Sequence, residues 1–368
     1  MAELLPRLPP QPDEVPWPAT DWPTGPLGDD VRTERLEAQL AVAEDPAQVG
    51  QTRALLVVHR GRLVVERYAG TVDVGGDPRP VGADTVLPSW SLAKSMLHAA
   101  VGVLVGDAAL RPGDRVVDAA PGAVPGWLTT SDDPRRAITV EHLLRQRAGL
   151  AWSEVYSTEG PSDVVDMLYR HGRDDVAGFV AAQPLVHEPG SPEAYGYSSG
   201  TSNLLSGVVR ELTGPGAAQV AFLHQRLFAP TGMTSPRPVT DAAGTWVAST
   251  YADLTARDLA RFGLLYLRDG VADGVRVLPE GWVDHGRTMQ HDVVDPDGWE
   301  PGAHWWGLPG RPDWFFGSGH EGQVLVVSPS RDLVVVRLGV SEPFPTHHVL
   351  ANVARVVRAF PRLDDGAT

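Results

Sequence analysis

Hydrophobic residues gather toward both ends of the chain in the pattern of paired strands. ALLVVHR at 54–60 and RLVVERYAG at 62–70 are Val- and Leu-dominated runs separated by Gly61, and they predict an antiparallel hairpin. GQVLVVSPS at 322–330 and RDLVVVRLG at 331–339 repeat the pattern, and a helical periodicity over 347–360 follows. Few convincing strands lie between, so one sheet built from both ends is expected, with a mostly helical middle inserted into it.

The middle supplies the helical patterns. SLAKSMLHAAVGVLVGD at 91–107 carries a long apolar stripe that Ser91 can cap or open. ITVEHLLRQRAGL at 138–150, PSDVVDMLYR at 161–170 and SNLLSGVVRELTG at 202–214 are further helical candidates, and LTARDLARFGLLYLRDG at 254–270 has both a start and a Gly stop. RTERLEAQLAVAE predicts a short helix ending at Asp45. Residues 1 to about 30, rich in Pro and carrying Trp17 and Trp22, read as an extended arm lying against the body.

Composition narrows the function classes. The formal charge of -15 opposes binding to nucleic acid or docking on an anionic membrane. There is no cysteine, hence no disulfide framework and no thiolate metal site. No apolar run reaches the roughly 20 residues of a membrane-spanning helix, and the acidic, Pro-rich start lacks a secretory pattern, so a cytoplasmic protein is expected.

The chemistry begins at PSWSLAKSM. Ser91 and Lys94 stand three residues apart at a helix start, which puts both side chains on one face about a turn apart. A serine hydroxyl is inert at neutral pH until a base takes its proton, and a desolvated lysine is such a base. The spacing alone is common. Lys94, however, is the chain's one lysine among 31 Lys and Arg residues, and it lies in an apolar run. A solubilising lysine is replaceable by arginine, whereas a base is not, because guanidinium stays protonated.

With Tyr197-Ser198-Ser199 and His320-Glu321-Gly322 following in order, the chain resembles the serine beta-lactamase and penicillin-binding-protein superfamily, in its branch of class C enzymes, esterases and 6-aminohexanoate-oligomer hydrolases. The resemblance covers roughly residues 50–360. It implies an α/β (α+β) fold of the beta-lactamase/transpeptidase type, an antiparallel sheet flanked by helices with a mostly helical second region. The expected organisation is an arm and short helix over 1–45 and a catalytic domain over 46–360, its sheet drawn from about 50–90 and 300–360 and its helical region from about 105–250.

The resemblance also implies roles. Ser91 matches the acylated nucleophile, Lys94 its base and Tyr197 the proton shuttle, with Tyr195 a competing match; His320 stands where relatives carry the lysine of K-T-G. The third motif is expected on an edge strand facing Ser91, with the N–H groups of Ser91 and Gln323 forming an oxyanion hole and Gly319 and Gly322 allowing close approach to ligand. Ser199, in place of an Asn, together with Glu321, Gly322, Tyr156 and Trp306, is expected to bind substrate. Glu154 or Asp163 is a candidate for recognising an ammonium group. Trp305, Trp306, Trp314, Phe315 and Phe316 fit either pocket walls or core beneath the sheet.

A small-molecule ester or amide is the expected substrate, with no metal and no cofactor. A D-amino-acid peptidase, a weak beta-lactamase and a noncatalytic binding protein of the same fold are the rival readings.

Overall fold

The computed structural model describes residues 5–156 and 159–363. Its elements are, in chain order, α1 (Thr33–Glu44), β1 (Gln51–His59), β2 (Arg62–Tyr68), α2 (Leu92–Gly106), α3 (Ser199–Thr213), α4 (Ala256–Leu267), β3 (Glu300–Pro301), β4 (Trp306–Leu308), β5 (Arg311–Gly319), β6 (Gln323–Ser328), β7 (Leu333–Val340) and α5 (Thr346–Val357), with shorter pieces between. The seven strands form one sheet in the order β3-β4-β5-β6-β7-β1-β2. Every pairing is antiparallel, and β1 pairs with β7 along its whole length, Gln51 opposite Val340 and His59 opposite Leu333.

Both faces of this sheet are covered, which explains its nearly continuous hydrophobic runs. Alternate residues point to opposite faces. Ala54, Leu56 and Val58 of β1 and Val334, Val336 and Leu338 of β7 join a core with α2, α4 and the helical middle. Leu55 and Val57, with Leu333 and Val335, join a second core with α1 and α5. The cores therefore divide each strand by parity, and neither face tolerates polar alternation.

Helix α2 is buried from Leu92 to Leu104, so it runs through the interior with Ser91 at its N-cap. A helix apolar all round belongs in such a position. The backbone leading into it is constrained: Trp90 adopts φ 46°, the left-handed region, and the Leu92 N–H donates to the Ser89 carbonyl. Two glycines of β5 bring the sheet down on this entry. A Cβ at Gly317 would meet Leu92 Cδ2 at 2.7 Å, and one at Gly319 would meet the Ser89 carbonyl oxygen at 2.7 Å.

Several expectations need revision. The pattern over 138–150 yields helix only from Val140 to Leu144, because Gln146 (φ 60°) and Gly149 (φ 72°) take left-handed conformations that end it. The nine-residue strand β5 was masked in the sequence by Pro312 and by its run of bulky aromatics. Finally, His320–Gly322 is not on an edge strand: it is the turn joining β5 to β6, both internal to the sheet.

The arm is extended and tied down. Trp17 and Trp22 are buried, and the Trp17 indole N–H donates to the Thr231 carbonyl. Arg261 on α4 donates to the carbonyls of Pro18 and Thr20. No helix among the described residues is long and apolar enough to cross a membrane.

Candidate active site

Lys94 is 3% exposed, and its Nζ lies 3.0 Å from Ser91 Oγ. It also lies 2.9 Å from the Ser249 carbonyl and 3.1 Å from Ser199 Oγ. These last two are fixed acceptors. A carbonyl can only accept, and the Ser199 hydroxyl gives its own hydrogen to Glu154 Oε1. Two of the amine's positions are thus committed to donating, and the third faces Ser91 Oγ, where either an N–H or a lone pair fits.

The loops that supply these acceptors are held in turn. Asn203, one turn beyond Ser199 on α3, clamps Ser249: its Oδ1 accepts from the Ser249 N–H at 3.0 Å and its Nδ2 donates to Ser249 Oγ at 3.1 Å. Glu154 receives four hydrogen bonds, from the Trp152 indole, the Tyr156 hydroxyl, and both the N–H and the hydroxyl of Ser199. Ser89 ties the approach to Ser91 onto the segment after Ser249, accepting from the Ala252 N–H and donating toward the Thr250 carbonyl.

At the helix start the N–H groups of Leu92, Ala93 and Lys94 reach the carbonyls of Ser89, Trp90 and Ser91. The Ser91 N–H has no acceptor among the described residues. It is therefore available to a developing negative charge, at the end of α2 where the helix field is positive.

Ser91 opens onto a cleft of about 620 Å³. His320, Tyr197, Tyr156 and Trp306 all line it, as does Tyr195. His320 packs edge-on against Trp90, with ring centroids 5.3 Å apart, and stacks on Tyr156 at 5.8 Å. Trp90 in turn donates its indole N–H to Glu321 at 3.1 Å. Tyr197 presents its ring face to Lys94 Nζ at 4.8 Å from the centroid and packs against Trp306 at 5.7 Å. Its hydroxyl has no hydrogen-bond partner among the described residues, while that of Tyr195 donates to Asp295 at 3.3 Å. Burial raises the Asp295 carboxyl above the usual range, and burial together with Asp295 raises the Tyr195 phenol.

The expected binding residues divide. Tyr156 and Trp306 line the cleft; Ser199, Glu321, Gly322 and Gln323 do not. Ser199 is fully buried behind Lys94, so it orients the amine. The Glu321 carboxylate is held by Trp90. Gly322 is buried with φ 76°, and a Cβ there would meet Ser341, so protein rather than ligand needs its glycine.

Gln323 cannot be the expected oxyanion donor as it stands. Its backbone N–H donates to the His320 carbonyl, and its side chain bonds Gly339. Gly319, likewise, is required by Ser89 rather than by ligand. Glu154 has both oxygens saturated by donors and Asp163 accepts from the Ser153 N–H, so neither is free for an ammonium. Among the aromatics only Trp306 reaches the cleft; Trp305 and Phe315 belong to one core and Trp314 and Phe316 to the other.

The residues missed by sequence reasoning are Ser249, Asn203, Gln146 and His304. Asn203 sits where the Ser-Asn-Leu-Leu run could have signalled it, since a polar residue inside an apolar helix needs a partner. Ser249 contributes only a carbonyl, which no side-chain pattern reveals. Among the described residues no group of three or more His, Asp or Glu is arranged to hold a metal ion.

A family model described as beta-lactamase matches residues 41–358. A 6-aminohexanoate-dimer hydrolase from Paenarthrobacter ureafaciens is 26% identical over 358 residues, covering 92% of this chain and 86% of its own. Penicillin-binding protein 4 from Amycolatopsis lactamdurans is 29% identical over 283 residues, 66% of this chain and 67% of its own. Among solved structures, EstCE1, described as a hydrolase with promiscuous acyltransferase activity, superposes with TM-score 0.69 at 17% identity, covering 88% of this chain and 98% of the other.

Proposed function

The chain belongs to the beta-lactamase family of serine hydrolases, and from that premise we propose that it cleaves ester or amide bonds of small molecules through an acyl-Ser91 intermediate. The observation that carries the reading is the Lys94 amine, 3.0 Å from Ser91 Oγ with its other contacts on two fixed acceptors. That environment leaves one direction for a lone pair, toward the nucleophile.

The Ser91 proton passes to Lys94 as Oγ bonds the substrate carbonyl carbon. The resulting oxyanion accepts from the Ser91 N–H. The second donor is sought along the β5 end, where Ser318, Gly319 and His320 line the cleft. The carbon–oxygen or carbon–nitrogen bond then breaks, and the proton reaches the leaving group through Tyr197, whose hydroxyl is free to face it. Water then attacks the acyl carbon from the cleft, where Tyr197 and His320 stand to take its proton; the carbon–Oγ bond breaks, that proton is returned to Ser91 Oγ, and the acid is released.

Charge narrows the substrate class. Glu154, Asp295 and Asp297 line the cleft, and among the described residues no Arg or Lys does. An anionic carboxylate, such as a cephalosporin carries, meets like charge there, whereas neutral esters and amides or amine-bearing ones do not. The hydrolase from Paenarthrobacter ureafaciens, by its name an aminohexanoate-dimer hydrolase, fits the same choice.

A fluorophosphonate probe is expected to add one covalent mass at Ser91, and Ser91→Ala to abolish both labelling and turnover. Full turnover of p-nitrophenyl esters by Ser91→Ala would sink the assignment. Ranking kcat/KM over short-chain esters, aminohexanoate amides, D-Ala peptides and a chromogenic cephalosporin tests the substrate class. Cephalosporin turnover well above ester turnover would reverse it.

A further inference from the structure

His304 stands in a left-handed backbone conformation (φ 57°) immediately before the paired Trp305 and Trp306. Its carbonyl accepts from Ser95 Oγ at 2.8 Å, one residue beyond Lys94, which fixes the backbone there. The side chain is buried, and its tautomer can be deduced from its neighbours. The Ser198 N–H, which can only donate, lies 2.9 Å from the Gln146 side chain and so identifies that atom as the amide oxygen. The other Gln146 atom is therefore the NH₂ group. It reaches Ser202 Oγ and His304 Nε2, both at 3.0 Å.

An NH₂ group donates, so His304 Nε2 accepts from it; the Ser202 hydroxyl, 3.1 Å from the same nitrogen, has its hydrogen for Nε2 or for the Ser198 carbonyl at 3.3 Å, and either choice suits an accepting Nε2. Burial, then Lys94, then His285 hold the imidazole pKa down to about 3, so the ring is neutral in the working range. A neutral ring accepting at Nε2 carries its proton on Nδ1. That Nδ1–H is buried and has no partner among the described residues. A buried donor left unpaired loses its hydration without compensation, so a partner is called for.

The surroundings suit one. His304 lines a cavity of about 20 Å³ with Lys94, Gln146, Tyr195, Tyr197 and Ser318 among its walls. A space above about 10–15 Å³ holds one water when two or more polar groups meet it. Lys94 has its three hydrogen bonds already. The Tyr197 and Ser318 hydroxyls have no partner among the described residues, and both also line the main cleft.

We propose that this cavity binds a single water molecule that accepts from His304 Nδ1–H and donates to the Tyr197 hydroxyl oxygen, making His304 a positioning residue for Tyr197. A hydroxyl that accepts from a held water has its own hydrogen turned away from that water, toward the cleft. The Ser198–Gln146–His304 relay thus ties the start of α3 to the orientation of the proposed proton carrier. The ionisable groups facing this pair are Lys94, Tyr156, Tyr195, His98 and His285.

The kinetic part of this inference rests on the acyl-Ser91 reading, but the water and the tautomer do not, and they are measured without turnover. In the unmodified protein, nitrogen NMR of labelled histidine is expected to show His304 protonated at Nδ1, and a high-resolution crystal structure to show one water within hydrogen-bond distance of it. Protonation at Nε2, or a cavity without water, overturns the proposal while leaving Ser91 labelling untouched.

In ester turnover, His304→Phe is expected to lower kcat about tenfold with KM unchanged. His304→Asn keeps a donor near Nδ1 and tolerates the left-handed backbone, so it is expected to recover most of that loss. A folded His304→Phe with wild-type kcat overturns the proposal, as does an Asn variant as impaired as Phe. Should the Phe variant not fold, the NMR and water measurements still decide.

Discussion

Glu154 is surrounded by donors only. Two indole or main-chain N–H groups and two hydroxyls point at its four lone-pair sites, and the net result is a Ser199 oxygen presented to Lys94. An amide in its place would turn an NH₂ group toward donors, so Glu154→Gln is not conservative. Losing charge-assisted bonds to a half-buried carboxylate costs up to about 1.5–3 kcal/mol, and kcat/KM for an ester is expected to fall by about 10- to 100-fold in this variant. Circular dichroism should show the fold retained. A variant with wild-type turnover would mean that the Ser199–Glu154 contact does not orient Lys94.

Strand β5 and the entry to α2 meet without slack, and this contact matters more to geometry than to stability. A Cβ at Gly319 would press on the Ser89 carbonyl, two residues before Ser91. Gly319→Ala is expected to reduce kcat/KM at least about tenfold, because displacements near one ångström at a reacting centre are that costly. Gly113→Ala, where a Cβ meets nothing, serves as the control, and equal activity in the two variants would refute the contact.

The same elements show what was legible in the sequence. Strands β1, β2, β6 and β7 declared themselves because both faces are buried and their apolar runs are unbroken. The proximity of Ser91 and Lys94 was legible in their spacing, and the rarity of lysine drew attention to the pair. Strand β5 did not, since Pro312 and its aromatics interrupt the pattern, and the helix after Thr139 was overextended because a left-handed Gln146 has no sequence signature. Ser199 and Gln323 sit at their motif positions, yet their hydrogen bonds are directed inward, which depends on partners about 45 and 16 residues away.

For the whole molecule, the arm acts as a strap over three buried arginines. Arg261 donates to Pro18 and Thr20, Arg268 to Gln11 and Pro9, and Arg287 to Pro6. Deleting residues 1–30 removes all of these acceptors, and thermal unfolding is expected to show a Tm lower by more than about 5 °C. An unchanged Tm would show that solvent replaces them at no cost.

Stability is also expected to fall on acidification from neutral pH. His59 and His304 have pKa values lowered to about 4 and about 3, and His98 lies well below the ordinary value, each chiefly through burial. Below about pH 6.5 the unfolded chain binds protons at these sites while the folded one does not, so stability is lost progressively toward pH 4. Each site contributes up to about 1.4 kcal/mol per pH unit in that window. Tm measured at pH 7, 6 and 5 should decline, and a flat profile would contradict the burial of these rings.

The pairing of β1 with β7 has a consequence for how the chain is made. During synthesis β1 emerges roughly 280 residues ahead of the strand it must join, an interval of about 14–56 s at usual elongation rates. Throughout that interval a Val- and Leu-rich ribbon has hydrogen-bonding capacity on one side satisfied only by β2. The sheet cannot close until β7 has left the ribosome, and Ser91 cannot face β5 before that strand emerges. A nascent chain of this design depends on being shielded while it waits, and the yield of active protein should respond to chaperone supply more steeply than its final stability suggests.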